Sequence, residues 1–539
     1  MERNALLAVA ISIAILLLYY EILLPRLYPQ PEKPVGEDVA ERQLEPQPDA
    51  VPPVLPEEEV APQAAAVADA AEVTVETDLY TAILTAAGGR LRSLTLKQYP
   101  TTGEPGSPAL EMVTPGAGNS LPLGLELRGK ENVGDGGVLY ELSGGPVRVS
   151  GNETASVTMT WRGPGIVVEK RLRFAGDKYP FFVDIVPEQV PPGTSEIGLS
   201  WIKGVLPAHG PQSSVFHGVI ALVNNKLVHR NFPDLEKGEV LTGSIGWAGF
   251  GDTYFLSAVI PEDTENTRLW MRFRNDTAEE RLLARMSGTA PVSFELYMGP
   301  KETSALESAG HNLPKAVDYG YFAFIAIPLL QVLRFLHYLT GNWGVAIVLL
   351  TLAIKVLFIP LTQKSFQSMR EMQKLQPQMA KLREKLKDNP EQMNREIMEL
   401  YRRHKVNPIS GCLPMVLQIP VFVGLYNALL NAIELRHAPF MLWINDLSSP
   451  DRLGSIPIPF VEPAGIPALT VIMGGTMLVQ QWMTPSAGDP MQQRMMMFMP
   501  LIFTVMFINF PSGLVLYWLV NNVLTIAQQY VMTRRTAEK

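Results

Sequence analysis

Cysteine is almost missing from this chain: Cys412 is the single one in 539 residues. No disulfide can form within the molecule, so any part outside the cytoplasm must fold on its apolar core alone. Histidine is sparse as well, with seven scattered residues. H-E-x-x-H, G-x-S-x-G and G-x-x-x-x-G-K-[ST] are all lacking. Those gaps remove the usual signatures of zinc peptidases, α/β-hydrolases and P-loop nucleotide hydrolysis. The net charge of −8 comes mostly from an acidic stretch near the N-terminus, so it says nothing about nucleic acid. Long apolar runs are missing between residues 25 and 317, a gap that confines membrane crossing to the two ends of the chain.

Where apolar runs do occur, they are long. Residues 5–24 form the first, followed by 343–361, 412–433, 468–483, 495–510 and 514–531. Each is a candidate transmembrane helix, giving six expected spans, two of them short enough to require a thinned bilayer. After residues 5–24 comes Pro25-Arg26-Leu27-Tyr28 rather than a small-x-small cleavage site, so an uncleaved anchor is expected. Lys and Arg crowd residues 364–405 and return at Arg534, Arg535 and Lys539, whereas 437–465 holds only Arg452. By the positive-inside rule, the basic segment and both termini face the cytoplasm, and the large segment after the anchor lies outside.

One charge breaks the second run. Lys355 stands inside WGVAIVLLTLAIKVLFIPL, about 13 Å from the Lys364 end at 1.5 Å per residue. A charge at such depth costs roughly 2.5–3.5 kcal/mol on insertion scales and by default marks a polar cavity or a partner. The alternative is a lysine snorkelling to the interface. Polar residues recur in neighbouring runs: Gln418 in the third and Asn521, Thr525 and Gln528 in the sixth, at four- and three-residue spacing on one helical face. Together these define a candidate hydrated groove opening inward. Interhelical hydrogen bonding alone is the bland reading of the same residues. The fifth run is rich in Met and Phe, side chains that repack around varied partners.

Outside the membrane, residues 25–71 are rich in Pro, Glu, Ala and Gln and read as a disordered linker. Alternation at 73–77 and at Ala-Ser-Val-Thr-Met-Thr-Trp (155–161), with Gly88-Gly89, Asp135-Gly136-Gly137 and Gly144-Gly145 as turns, predicts a large β-sandwich. Residues 318–339 are apolar but carry Gln331, Arg334 and His337 on one face, which suits a helix lying in the outer interface. The basic segment reads as a helical hairpin broken at Asp388-Asn389-Pro390, with Asn389 as N-cap. Its basic surface suits anionic lipid, ribosomal RNA or acidic protein.

Several strings then resemble a known family: Lys405-Val406-Asn407-Pro408, Gly411-Cys412, Pro414, Gln418, Pro420, Phe422 and Leu425-Tyr426; Asn342-Trp343-Gly344; Asp446-Leu447-Ser448; and Phe510-Pro511-Ser512-Gly513-Leu514. They resemble the YidC membrane protein insertases, in the Gram-negative bacterial branch of the YidC/Oxa/Alb family. The resemblance implies a polytopic α-helical protein of the bacterial inner membrane with both termini cytoplasmic. It would combine an anchor (1–24), a periplasmic linker (25–71), a periplasmic β-supersandwich domain (72–310) and an interfacial helix (311–341). A five-span insertase core (342–535), with its cytoplasmic hairpin at 365–405, and a short tail (536–539) would complete it. Such a protein is not an enzyme and uses no cofactor, metal or catalytic set. It inserts and helps fold nascent membrane proteins, alone or with the Sec translocon. Further implied partners are membrane lipids and, through the hairpin, the ribosome and the signal recognition particle receptor; DNA is not among them. The resemblance makes Lys355, Gln418, Asn521, Thr525 and Gln528 a client-binding groove, and Val416, Phe422, Met496 and Phe503 an apolar slide for the client. Lys355 stands where the family more often has arginine; it keeps the charge and loses the bidentate fork. Two rivals from other classes are an anion-binding small-solute transporter and a membrane-anchored sugar-processing enzyme. The first lacks internal repeats, and the second leaves the C-terminal core unexplained.

Overall fold

The computed structural model describes residues 70–537, apart from 116–119, 205–217, 232–234, 236, 275–278, 288, 387–388, 405–412, 458–460, 462 and 484–489. The expected anchor, nearly all of the linker, and Cys412 lie outside the described residues.

The first half of the described chain is β-structure in three sheets of five, nine and six strands. The nine-stranded sheet is the spine. Its central strands Phe255–Pro261 and Ile245–Gly251 are buried almost throughout, so both faces are covered. Strands farther out alternate: in Thr154–Gly163, Val157, Met159 and Trp161 point inward, as period-two spacing requires. The turn at Gly88-Gly89 takes φ of +66° and +57°, a region open to glycine, and returns Tyr80–Thr85 onto Arg90–Pro100. The expected sandwich is therefore present.

Helices follow: α1 (Thr303–Ala309), α2 (Ala323–Thr340), α3 (Trp343–Lys374), α4 (Gln376–Lys385), α5 (Pro390–Arg403), α6 (Leu413–Asn431), α7 (Ala468–Met483), α8 (Pro490–Phe507) and α9 (Ser512–Ala537). A second apolar core joins α2, α3, α6, α7 and α9 around Leu333, Ile347, Leu425, Met473 and Val515. Two helices among the described residues, α2 and α3, are both long and apolar enough to cross a membrane. Of the six runs read from sequence, 343–361 lies in α3, whereas α2 holds the segment expected to lie in the interface. The run at 5–24 and the side chains at the starts of α6 and α8 lie outside the described residues, α7 has 16 residues, and α9 carries Asn521, Asn522, Gln528 and Gln529.

Boundaries also move. Helix α3 has 32 residues, about 48 Å at 1.5 Å per residue, and runs on through Pro360 into the basic segment. The hairpin's first arm is thus the end of α3 plus α4, separated at Leu375. Asn389 caps α5, its side chain accepting from the Gln392 amide. Helix α2 buries Ala326, Leu330 and Leu333 and leaves Phe324, Ile327, Phe335 and Tyr338 exposed. Its polar residues do not all face solvent: Arg334 pairs with Glu434 at 2.7 Å and donates to Thr303 at 3.1 Å, and His337 stacks on Trp343.

Candidate functional site

Helices α3 and α9 lie side by side and run in the same direction, because their polar pairs advance together along both chains. Lys355 Nζ donates to Thr525 Oγ1 at 2.6 Å and to Asn521 Oδ1 at 3.4 Å. Two turns on, Gln528 Nε2 donates to Thr362 Oγ1 at 2.9 Å. Farther still, Arg370 donates to Thr533 Oγ1 at 3.0 Å. On the opposite flank of α9, Asn522 donates to Thr476 of α7.

The sequence determines this ladder locally. Residues four apart share a helix face, so Asn521 and Thr525 both reach Lys355. Thr525 spends its own proton on the Asn521 carbonyl, at 2.6 Å. Its lone pairs are then left to accept from the ammonium, as a hydroxyl can. Among the described residues no carboxylate pairs with Lys355. The charge is held by neutral dipoles, which offset part of its desolvation but leave its field uncancelled.

Of the expected groove residues, the fold brings Lys355, Asn521 and Thr525 together. Gln528 belongs to the same face of α9 but serves Thr362. Gln418 stands on α6 beside the Tyr517 hydroxyl. Of the expected slide, Phe422 and Phe503 turn toward Trp518, at ring distances of 4.6 and 6.2 Å, and bridge α6, α8 and α9. The side chains of Val416 and Met496 lie outside the described residues. Solvent-exposed apolar side chains line α8 instead at Phe498, Leu501, Ile502 and Val505.

Thr362, Tyr517 and Trp518 were not expected in the groove or slide from sequence, although Thr362 and Tyr517 fall in strings that resemble the family. Thr362 could have been found, since it follows Lys355 by seven residues and so lies near its face. A further polar centre sits in the β-domain. Lys170 is fully buried; it donates to Asp135 at 2.5 Å and to the carbonyls of Gly88, Gly89 and Leu123. Asp135 also takes Arg90 and the Tyr140 hydroxyl. None of the buried side-chain polar atoms in this knot lacks a partner, so it reads as a structural pin. Its signal was the alternation itself: Ile166, Val168, Lys170, Leu172 and Phe174 share the inward face.

Comparison with known proteins covers both halves of the chain. Residues 335–539 match the family described as 60Kd inner membrane protein, and residues 72–332 match the YidC periplasmic domain. The membrane protein insertase YidC of Syntrophobacter fumaroxidans is 43% identical over 481 residues, covering 85% of this chain and 86% of the relative. That of Pelobacter propionicus is 38% identical over 548 residues, covering 99% of each. A solved structure described as an active YidC insertase with its first transmembrane domain resolved is similar over 86% of this chain and 93% of that one. Its identity is 20% and its TM-score 0.37.

Proposed function

This chain belongs to the YidC membrane protein insertase family, and from that footing we propose that it inserts its clients through a polar groove centred on Lys355. Its relatives are insertases of the inner membrane rather than metabolic enzymes, and membrane proteins are its substrates. The finer reading has six spans, with both termini and the basic hairpin cytoplasmic. The β-supersandwich lies in the periplasm and α2 in the outer interface.

The observation that carries the groove is an ammonium that, among the described residues, has no carboxylate partner and is held by Asn521 and Thr525 between two helices. A client must bring a short polar flank, often acidic, part-way across the bilayer. Desolvating that flank is the costly step. Lys355 and the α9 amides replace some of the lost water contacts, while the client's apolar segment enters lipid beside the exposed face of α8 and drives the reaction forward. Neutral partners suit this role. A buried carboxylate on Lys355 would already have neutralised it, and a client held by a buried ion pair would leave slowly. The Sec translocon, the ribosome, the signal recognition particle receptor and anionic lipid are the proposed partners, the last three at the basic hairpin. Purified protein in liposomes, offered a short single-span client without nucleotide or other protein, should render the client's flank protease-protected. No protection above protein-free liposomes would refute the proposal.

A further inference from the structure

The loop that joins α6 to α7 turns bulky apolar side chains outward at two places. At the first, Met441 is exposed and Leu442 is 82% exposed. Leu442 stands at φ +58°, a left-handed conformation that suits glycine and is uncommon for a bulky side chain. With so little of it touching the rest of the molecule, internal packing does not offset that strain. At the second place, Leu453 and Ile456 are exposed.

Hydrogen bonds fix the level of both places. Asn342, the N-cap of α3, donates to the carbonyls of Pro439 at 3.4 Å and Phe440 at 3.2 Å. The Phe440 ring lies so close to Gly344 that a Cβ there would sit 2.0 Å from it. Leu442 follows within about 7 Å of extended chain, so it is level with the first turn of α3. The second place is tied to α7 and α8. Leu453 and Ile466 exchange backbone hydrogen bonds of 2.8 and 3.0 Å. Asp451 accepts from the Leu469 amide at 2.7 Å and the Thr470 hydroxyl at 3.1 Å, and Arg452 donates to the Ile508 carbonyl at 3.0 Å.

Aromatic residues mark the same level. Trp343 opens α3 and stacks on His337, and the exposed Tyr338 lies in the last turn of α2. Trp and Tyr gather where headgroups meet hydrocarbon. From that level an apolar side chain reaches the acyl boundary, and segments that do not span can bury apolar groups roughly 5–10 Å deep there. The two places stand on different sides of the core. Helix α9 separates them, meeting α3 through Thr525 on one flank and α7 through Asn522 on the other. A single protein partner would have to reach around the core to cover both, whereas a bilayer surrounds the core at one level.

We propose that Met441–Leu442 and Leu453–Ile456 are two apolar feet that enter phospholipid acyl chains in the leaflet on the β-domain side. The proposal rests on the membrane topology given above and concerns a surface apart from the groove. Standing on both sides of α9, the feet resist tilting of the core while a client passes.

The test uses the full chain with Cys412→Ser in vesicles of phosphatidylethanolamine and phosphatidylglycerol. One nitroxide is carried on Leu442→Cys or Ile456→Cys. Oxygen concentrates in hydrocarbon and a nickel chelate stays in water, so the ratio of their collision rates reports immersion. At both feet that ratio should exceed the value at Asp177→Cys, an exposed β-domain position, by about tenfold. It should approach the value at Leu357→Cys, exposed on α3. A ratio like that of Asp177→Cys at either foot overturns the proposal. Low collision rates with both reagents would mean that a second copy or another protein covers the tip, and would overturn it equally. If Leu442→Cys does not accumulate, Met441→Cys takes its place. Adding Leu442→Asp to the Met441→Cys label should lower the ratio several-fold, because hydrocarbon expels a carboxylate; an unchanged ratio overturns the first foot. A water-like ratio at Leu357→Cys itself would instead sink the membrane topology, so the two failures are distinguishable.

Discussion

Lys355 bears its charge with two neutral partners, and its replacement should therefore be felt according to charge rather than shape. Lys355→Ala should reduce insertion of clients with acidic flanks about tenfold or more, a loss equivalent to about 1.4 kcal/mol, the low end for hydrogen bonds to charged groups. Lys355→Arg should preserve it, and clients with neutral flanks should be affected less; protease protection of paired clients measures this. Lys301 gives a second residue-scale test. It is buried at the base of the β-domain, donating to the Asp252 carbonyl, and burial lowers its pKa to about 8 from 10.5. Between those values the unfolded chain keeps a proton that the folded chain has lost, so stability rises with pH across that window. Unfolding scans should show wild type gaining on Lys301→Met by up to about 3 kcal/mol from pH 8 to 10.5. A constant difference would show that burial does not shift Lys301. Lys355 was legible in sequence because a lone charge interrupts an apolar run, and Asn521 and Thr525 because they are four apart. The contacts of Asp446 were not: its string carries the family resemblance and a local turn, but that its carboxylate accepts from the His437 and Ser448 amides, the His437 ring and the Ser448 and Ser449 hydroxyls is visible only in the fold.

Among the elements, α3 is the least like its sequence expectation. The apolar run predicts a span ending near residue 361, yet the helix continues to Lys374 because nothing after Pro360 breaks it. Charged residues are good helix formers, so polarity marks where a bilayer ends and not where a helix does. The hairpin's second arm was better specified, since Asn389 and Pro390 carry cap chemistry. Asn389→Ala should destabilise α5 by about 1 kcal/mol. The first turn of α5 should then exchange its amide hydrogens several-fold faster; unchanged exchange would remove the cap from the account. Gly344 is constrained by the Phe440 ring. Gly344→Val should displace the loop and lower the unfolding temperature of the helical core, whereas Gly341→Ala, in open space but at φ +68°, should act only through local backbone strain. Strands were legible from alternation at Thr154–Gly163, but the pairing of distant strands across three sheets was not, because register depends on partners that a single segment does not name.

At the scale of the molecule, the polar pairs along α3 and α9 set both helix C-termini on one side. Arg436, after α6, reaches the carbonyls of Pro100 and Thr101 in the β-domain. The charge-based topology proposed above has a direct test. A reporter active only outside the membrane should be silent when fused at residue 390 and active when fused within 72–300. Removing residues 72–300 while keeping α1, α2 and the anchor should leave insertion largely intact; complete loss in a stable, correctly localised truncation would make the β-domain part of the insertion machinery. The class, a β-structured region followed by a helical one, was legible in the sequence from alternation and hydropathy. The depth and lining of the site were not, because they arise where α3, α6 and α9 meet. The central claim is a hydrated groove around Lys355, and cysteine accessibility tests it most directly. In a Cys412→Ser background, single cysteines at 355 and 521 should react with a polar maleimide from the hairpin side. One at 357, an exposed apolar position on the same helix, should remain inert in lipid. Equal inertness at all three positions would mean that no groove exists and that Lys355 is a snorkelling side chain.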